Sequence, residues 1–321
     1  MLFPAFILTL LAATLTTSVV ADAGLNAAVA FDNGLGSLDQ GLLDNLHAPH
    51  YDLSVWAPGW IPQDCKDIVE GQNLSASDVT IWNVNYTDCS SPWVICTHKD
   101  APLTQTVVAD LFGKIPVKMR STIRHLISVP GPGIGAFNAG DNIMFSGAND
   151  HISVFVHEVG HSVDTHGYPN ISAGAFHETD IWLDNYAKDS AVADAYANCN
   201  QAENHSQELV VALFDHVVPG GVGTVNSNWT EIAHQYETIQ GFVGVHGDMI
   251  TPGGVCSDRH NNSEPVRLTE SPDTGTGPAP DVGLKDGVKV YDFLPMQTVV
   301  NATVVREDGT VGLMEVQVLK Q

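Results

Sequence analysis

Residues 157–161 read His-Glu-Val-Gly-His, an H-E-x-x-H sequence. Histidines four apart lie one above the other on one face of an α-helix, so both imidazoles can reach a single ion. Glu158 stands between them, where a carboxylate can take a proton from a water bound to that ion. The chemistry implied is metal-assisted hydrolysis, with one Zn²⁺ per chain as cofactor. A zinc site of this kind takes three protein ligands, and the motif supplies two.

A helix must carry the motif. Ile152, Val156, Val159 and Val163 fall at i, i+4, i+7 and i+11 and form one apolar stripe. At about 100° per residue, His157 and His161 lie opposite it. The stripe would face a core and the imidazoles a cleft. Asn149 or Asp150 is the expected N-cap, and Gly167 with Pro169 closes the helix.

Strands are expected ahead of that helix. Residues 78–86 are rich in β-branched and aromatic residues, and 92–98 could return as a hairpin partner. His125 to Val129 reads as another strand, stopped by Pro130-Gly131-Pro132-Gly133. Asn142 to Phe145 is a short strand just before the motif. The stretch Asn138 to Phe145 is the candidate substrate strand, with Asn142, Ile143 and Met144 pairing an extended peptide at a sheet edge. The alternative is a core strand that touches no ligand. Residues 24–60 read as loop and short helix, and 102–112 and 116–124 as short helices broken by Gly113 and Pro116. Residues 179–188, 194–217 and 229–240 read as helical, the last with Asn228 as a candidate cap. Leu209 to Phe214 is apolar all round, as a buried helix is. The fold class expected is α+β, with a small twisted sheet, the motif helix and a later glutamate-bearing helix.

The third ligand can be sought by spacing. A metzincin needs Gly three residues after the second His and His six after, where this chain has Asp164 and Gly167. An aspartate-ligand zincin needs an Asp shortly after Asp164, and none follows there. Two glutamates remain. Glu178 lies 17 residues beyond His161, in a segment that loosely resembles the glutamate segment of thermolysin-like enzymes. Glu203 lies 42 residues beyond, with Tyr196 seven residues before it. Seven residues are close to two helical turns, so Tyr196 and Glu203 could project to one side. A tyrosine hydroxyl there could donate to the oxyanion of a tetrahedral intermediate. Asp164 is either a hydrogen-bond partner of a ligating His or a solvated residue. His166, His177, His205, His216 and His246 read as surface residues.

Residues 1–21 read as a secretory signal peptide, apolar from Leu2 to Leu15 with small residues at Val19-Val20-Ala21. A membrane anchor is the alternative, but threonines at 9, 14, 16 and 17 make a poor span. Extracellular location agrees with 7 N-x-S/T sequons, at Asn73, Asn85, Asn170, Asn204, Asn228, Asn261 and Asn301. The net charge of −24 argues against nucleic acid and against anionic membranes as partners but names no substrate; the peptide or protein substrate is expected from the peptidase motif. Five cysteines suggest two disulfides and one remaining thiol, with one bridge among Cys65, Cys89 and Cys96 and the other between Cys199 and Cys256. The expected organisation is leader 1–21, catalytic domain 22–260, Pro/Gly/Thr-rich linker 261–286 and extension 287–321, the last holding a β-hairpin around Asp308-Gly309. The sequence carries no signal for oligomeric state.

His157-Glu-Val-Gly-His-Ser-Val-Asp164, then Tyr196, then Glu203-Asn-His-Ser-Gln207 before an apolar helix, resembles the zincin core of the anthrax lethal factor type. The pattern there is H-E-x-G-H-x-V-D, a Tyr, then E-x-F-A-E seven residues on. Most of the mature chain is similar to fungal secreted proteins called conidiation-specific, a group assigned to the metallopeptidases. They share H-E-V-G-H-S-V-D and a D-x-Y-A … E-x-x-A-Q segment before a V-V-x-L-[YF]-[DN] helix, here Val210 to Asp215. The resemblance implies His157, His161 and Glu203 as zinc ligands, Glu158 as general base and Tyr196 as oxyanion donor; from spacing, Glu178 stays the alternative ligand. His205 and Ser206 depart from the pattern and create the Asn204 sequon, which is expected to stay unmodified because a glycan would crowd the metal. The function expected is a secreted zinc endopeptidase. The alternatives are a secreted zinc-binding protein without catalysis, or a cell-wall or spore-coat protein in which the motif is coincidental.

Overall fold

The apolar runs between residues 79 and 146 become the centre of one sheet. The computed structural model describes residues 24–25, 27–241, 249–256 and 258–268, and the backbone of 302–305 and 311–314. The expected leader, most of the expected linker and Asn301 lie outside the described residues. In chain order the elements are β1 (Ala28–Val29), α1 (Asp39–Asn45), β2 (Tyr51–Val55), β3 (Trp60–Pro62), α2 (Gln63–Gly71), β4 (Val79–Tyr86) and β5 (Trp93–His98). Then come α3 (Gln105–Lys114), α4 (Val117–Arg120), β6 (His125–Val129), β7 (Gly135–Ala139), β8 (Asn142–Ser146) and α5 (Ile152–His166). The rest are α6 (Asp180–Tyr186), β9 (Ala191–Val192), α7 (Gln201–Val217), α8 (Ala233–Gln240), β10 (Pro265–Arg267), β11 (Ala302–Val305) and β12 (Val311–Met314).

The fold is α+β around a mixed six-stranded sheet of order β2-β4-β5-β6-β8-β7. β5, β6 and β8 run parallel, and the strands outside them are antiparallel to their neighbours. Every residue of β5 and β6 is buried, as expected of parallel strands covered on both faces. One face carries Ile95, Leu126, Ile143 and Phe145 into the larger core, which takes in residues of α3, α5 and α7. The other carries Val94, Cys96, Ile127 and Met144 against α2.

Several expectations change. Residues 24–60 contain a strand, β2, whose half-exposed edge position leaves it only a weak apolar signal. Helix α3 runs through Gly113 to Lys114 rather than breaking there. The linker cannot begin at 261. β10 pairs with β3, and Asn262 and Ser263 are buried, so the folded unit extends through residue 268. The expected hairpin is present in backbone, β11 pairing antiparallel with β12. The disulfides join Cys65 to Cys96, as the local grouping allowed, and Cys89 to Cys256. The expected Cys199–Cys256 bridge is therefore wrong: the β4–β5 turn, not the start of α7, meets Cys256, and exposed Cys199 is in neither bridge. No helix among the described residues is long and apolar enough to cross a membrane.

Candidate metal centre

Helix α5 forms where its apolar stripe demands. Ile152, Val156, Val159 and Val163 are all fully buried. Its N-terminus is not capped by Asn149 or Asp150. Asp39 of α1 does this from outside, its Oδ1 accepting from Ser153 N at 2.8 Å and its Oδ2 meeting His151 Nδ1 at 2.8 Å. Asn149 donates instead to the Gly135 carbonyl.

The motif face meets the first turns of α7. Asn200 caps that helix, its Oδ1 accepting from Glu203 N at 2.9 Å. Glu203 then extends to both imidazoles, with Oε2 at 3.1 Å from His157 Nε2 and 3.4 Å from His161 Nε2. Glu178 sits in the short 3-10 turn Phe176–Glu178 and makes no ion pair with either imidazole. Of the two candidate glutamates, the fold brings Glu203 to the pair.

Gly160 lets the helices approach. A Cβ there would lie 3.1 Å from Ser206 Cα and 3.2 Å from its Cβ and Oγ. The close crossing places two α7 side chains behind the imidazoles. Ser206 Oγ lies 3.1 Å from His161 Nδ1, and Gln207 Oε1 lies 3.0 Å from His157 Nδ1. Gln207 Nε2 donates to Asp194 Oδ2 at 2.7 Å. A carboxylate can only accept, so Asp194 fixes which end of the amide faces His157. That end is the oxygen. His157 Nδ1 is therefore the nitrogen that donates, which leaves Nε2 as the atom turned toward Glu203 and available to a metal.

The same Asp194 sets Tyr196, its Oδ1 accepting from Tyr196 N at 2.9 Å and Ala197 N at 3.0 Å. Tyr196 is not on the helix of Glu203, since a 3-10 turn and the extended Asn200 intervene. It reaches the site all the same, with its ring 5.2 Å from that of His157, edge to face. Burial, helped by the Glu203 and Glu158 carboxylates, raises its phenol far above the ordinary value, so it is a neutral donor.

Glu158 is buried, and burial raises its carboxyl against the pull of the two imidazoles. Burial would also raise Glu203, but His161 and His157 outweigh it and hold that carboxyl well below the usual range. The Glu203 carboxylate in turn lifts His161 to about 9 against its burial. His157 Nε2, Glu158 Oε2 and Glu203 Oε2 are buried and make no hydrogen bond, although His157 and Glu203 lie within ion-pair reach. Orphaned buried polar atoms converging on one point fit a cation between them. The edges of a tetrahedron with bonds of roughly 2.0–2.1 Å are about 3.3 Å long. The 3.1 and 3.4 Å separations match that size. The donor set of two imidazoles and a carboxylate suits zinc.

Other candidates fall elsewhere. Asn142, Ile143 and Met144 lie in β8, which is interior, between β6 and β7, and all three are buried. They cannot offer a free edge. The terminal strand is β7, and its Asn138 donates to the Glu158 carbonyl at 2.7 Å and Ser162 Oγ at 2.9 Å, tying that strand to the motif helix. Asp164 bonds neither motif imidazole. It accepts from His177 N at 2.9 Å and meets His177 Nδ1 at 2.6 Å. His205 is not at the surface: it is fully buried among Tyr168, Phe176 and Trp182. Asn204 is buried too, donating to Gln235 at 2.7 Å, so its sequon is closed to a glycan by packing against α8. Asn73, Asn85, Asn170 and Asn228 are exposed, and Asn261 is half-buried. Ser206, Gln207 and Asp194 were not assigned roles from sequence, and Asn138 was placed only in the candidate substrate strand. The first two stand three and four residues after Glu203, the helical spacing that shares its face. Asp194 and Asn138 carry no local signal.

The sequence model of a family described as conidiation-specific protein Con-13 matches residues 30–250, the span that holds every residue of this site. The chain belongs to that family. It is similar to conidiation-specific protein 13 of Neurospora crassa, 31% identical over 212 residues, which are 65% of this chain. The match covers 62% of that relative, less than two thirds of its length. No solved structure matches the chain. Neither name specifies a reaction.

Proposed function

We propose that the protein is a secreted zinc metallopeptidase of zincin type, with His157, His161 and Glu203 holding the ion. The observation that carries the reading is the convergence of two imidazoles and a carboxylate beside a buried, unpartnered Glu158. Zinc in this site would supply a Lewis acid that acidifies water toward neutral pH and polarises a carbonyl. Glu158, its carboxyl raised by burial, would accept a proton from water beside the ion and return it to the leaving amine. Tyr196, whose ring lies beside that of His157, would donate a hydrogen bond to an oxyanion formed there. Asp194 holds the Tyr196 turn and, through Gln207, the His157 ring, so one carboxylate orients both. Among the described residues β7 ends the sheet, and an extended substrate would add a strand there. Secretion is supported by the apolar leader and by the two disulfides.

The test is cleavage of a peptide library by the purified chain, with and without chelator, beside Glu158→Gln. The expected result is chelator-sensitive hydrolysis that falls by about 10²–10⁴ in the variant, with bound zinc unchanged. Zinc bound by both and cleavage by neither would replace the peptidase with a zinc-binding protein. No zinc in either would leave a structural protein with a coincidental motif.

A further inference from the structure

A second cluster lies at the far end of α5, on residues the proposed reaction does not use. Asp141 closes the β7–β8 hairpin, with φ 66° after Gly140 at φ 57°, a pair of left-handed residues as a type I′ turn requires. His166 is the last residue of α5. His260 follows Cys256, in the segment that returns to the sheet. His166 Nε2 lies 3.1 and 3.2 Å from the two Asp141 oxygens, and His260 Nδ1 lies 3.1 Å from Oδ2. The two rings are 4.4 Å apart, centre to centre.

We infer that Asp141, His166 and His260 form a second divalent-cation site, of zinc-binding chemistry, that fastens the C-terminal segment to the motif helix. Their ligand atoms lie within 4.8 Å of one another, and among the described residues only this cluster and the motif group do so with three such side chains. The separations repeat those of the central site, near the edge of a zinc tetrahedron (about 3.3 Å). Asp141 and His260 are held in place by backbone contacts that need no ion, and His166 by its place at the end of α5. His260 N donates to the Ser121 carbonyl at 2.8 Å, and Arg124 N to the Asp141 carbonyl at 2.8 Å. Neighbouring Arg259 donates to the carbonyls of Pro92 and Arg124. Side-chain exposures of 14, 35 and 26% leave a path for an ion. Arg124 Nε, 4.0 Å from Asp141 Oδ2, opposes a cation and weakens this site relative to the central one. The protein's net charge of −24 acts the other way, concentrating cations around it.

The site does not depend on the peptidase reading. The test is zinc titration of the whole chain after stripping by chelator, read as bound metal per chain and by calorimetry. Two equivalents are expected for the wild type, the second weaker. His260→Asn and, separately, His166→Asn should each lose the weaker equivalent and keep the tighter. Glu203→Ala should lose the tighter and keep the weaker. The His166 variant decides the matter if His260→Asn does not fold. A single equivalent, unaffected by either variant at the second cluster, would overturn the inference and leave those three side chains as hydrogen-bond partners. A single equivalent removed by His260→Asn, and untouched by Glu203→Ala, would uphold it while removing the central site.

Discussion

His125 shows how a single buried side chain can set the protein's response to acid. It is fully buried in β6, with Nε2 accepting from Ser263 N at 3.2 Å and Nδ1 facing Asn142 Oδ1 at 2.6 Å. Both nitrogens are used only in the neutral ring, and a second proton would break the Ser263 bond. Burial lowers its pKa to about 3, with Arg259 and Arg124 adding to that and the Asn142 bond opposing. The folded pKa is below the unfolded value, so the folded state binds fewer protons. Its stabilising effect is complete above about pH 6.5 and is lost as pH falls from there toward about 3, at no more than about 1.4 kcal/mol per pH unit. Urea midpoints should fall over that range, and His125→Gln should flatten the fall; an unchanged slope would contradict this. At the candidate metal centre, the grouping of His157, Glu158 and His161 was legible because one short helix holds them. Glu203 and Tyr196 were legible through a resemblance, although helical periodicity was the wrong reason for Tyr196. Gln207 and Asp194 were not legible, because what they do depends on where α7 crosses α5.

That crossing is the element on which the site depends. α5 was readable from its stripe and α7 from its apolar run, but neither pattern says how near the two axes come. Gly160 does. In a helix interior Ala is favoured over Gly by about 1 kcal/mol, so propensity alone would make Gly160→Ala stabilising. The added methyl would sit against the Ser206 backbone, and overpacking of this kind costs about 1–3 kcal/mol. The clash should win. Gly160→Ala is expected to lower the melting temperature and weaken zinc binding, because Ser206 and Gln207 shift away from the imidazoles. Adding Ser206→Gly should restore part of the melting temperature. A single variant as stable as wild type would mean that the helices have slack there. The strand assignment failed at the same level. Asn142 to Phe145 was correctly read as a strand, but its neighbours are set by the β7–β8 hairpin, and the hairpin puts β7 outside it.

Over the whole molecule, the site joins distant parts of the chain. The motif helix is capped from α1, backed by α7 and tied to the edge strand, and Cys89–Cys256 and β10 bring the later chain back to the sheet. The α+β class was readable from the order of strands and helices. The wrong disulfide and the early linker boundary had one cause: both needed the return path of residues 249–268, which has little periodicity of its own. Diffraction from zinc-soaked crystals, with the anomalous signal collected at the zinc edge, bears most directly on the metal centre. A peak within about 2.0–2.2 Å of His157 Nε2, His161 Nε2 and a Glu203 oxygen, with Glu158 beside it but not bonded, is the predicted result. An empty map between those side chains, or a peak that takes Glu178 in place of Glu203, would contradict it.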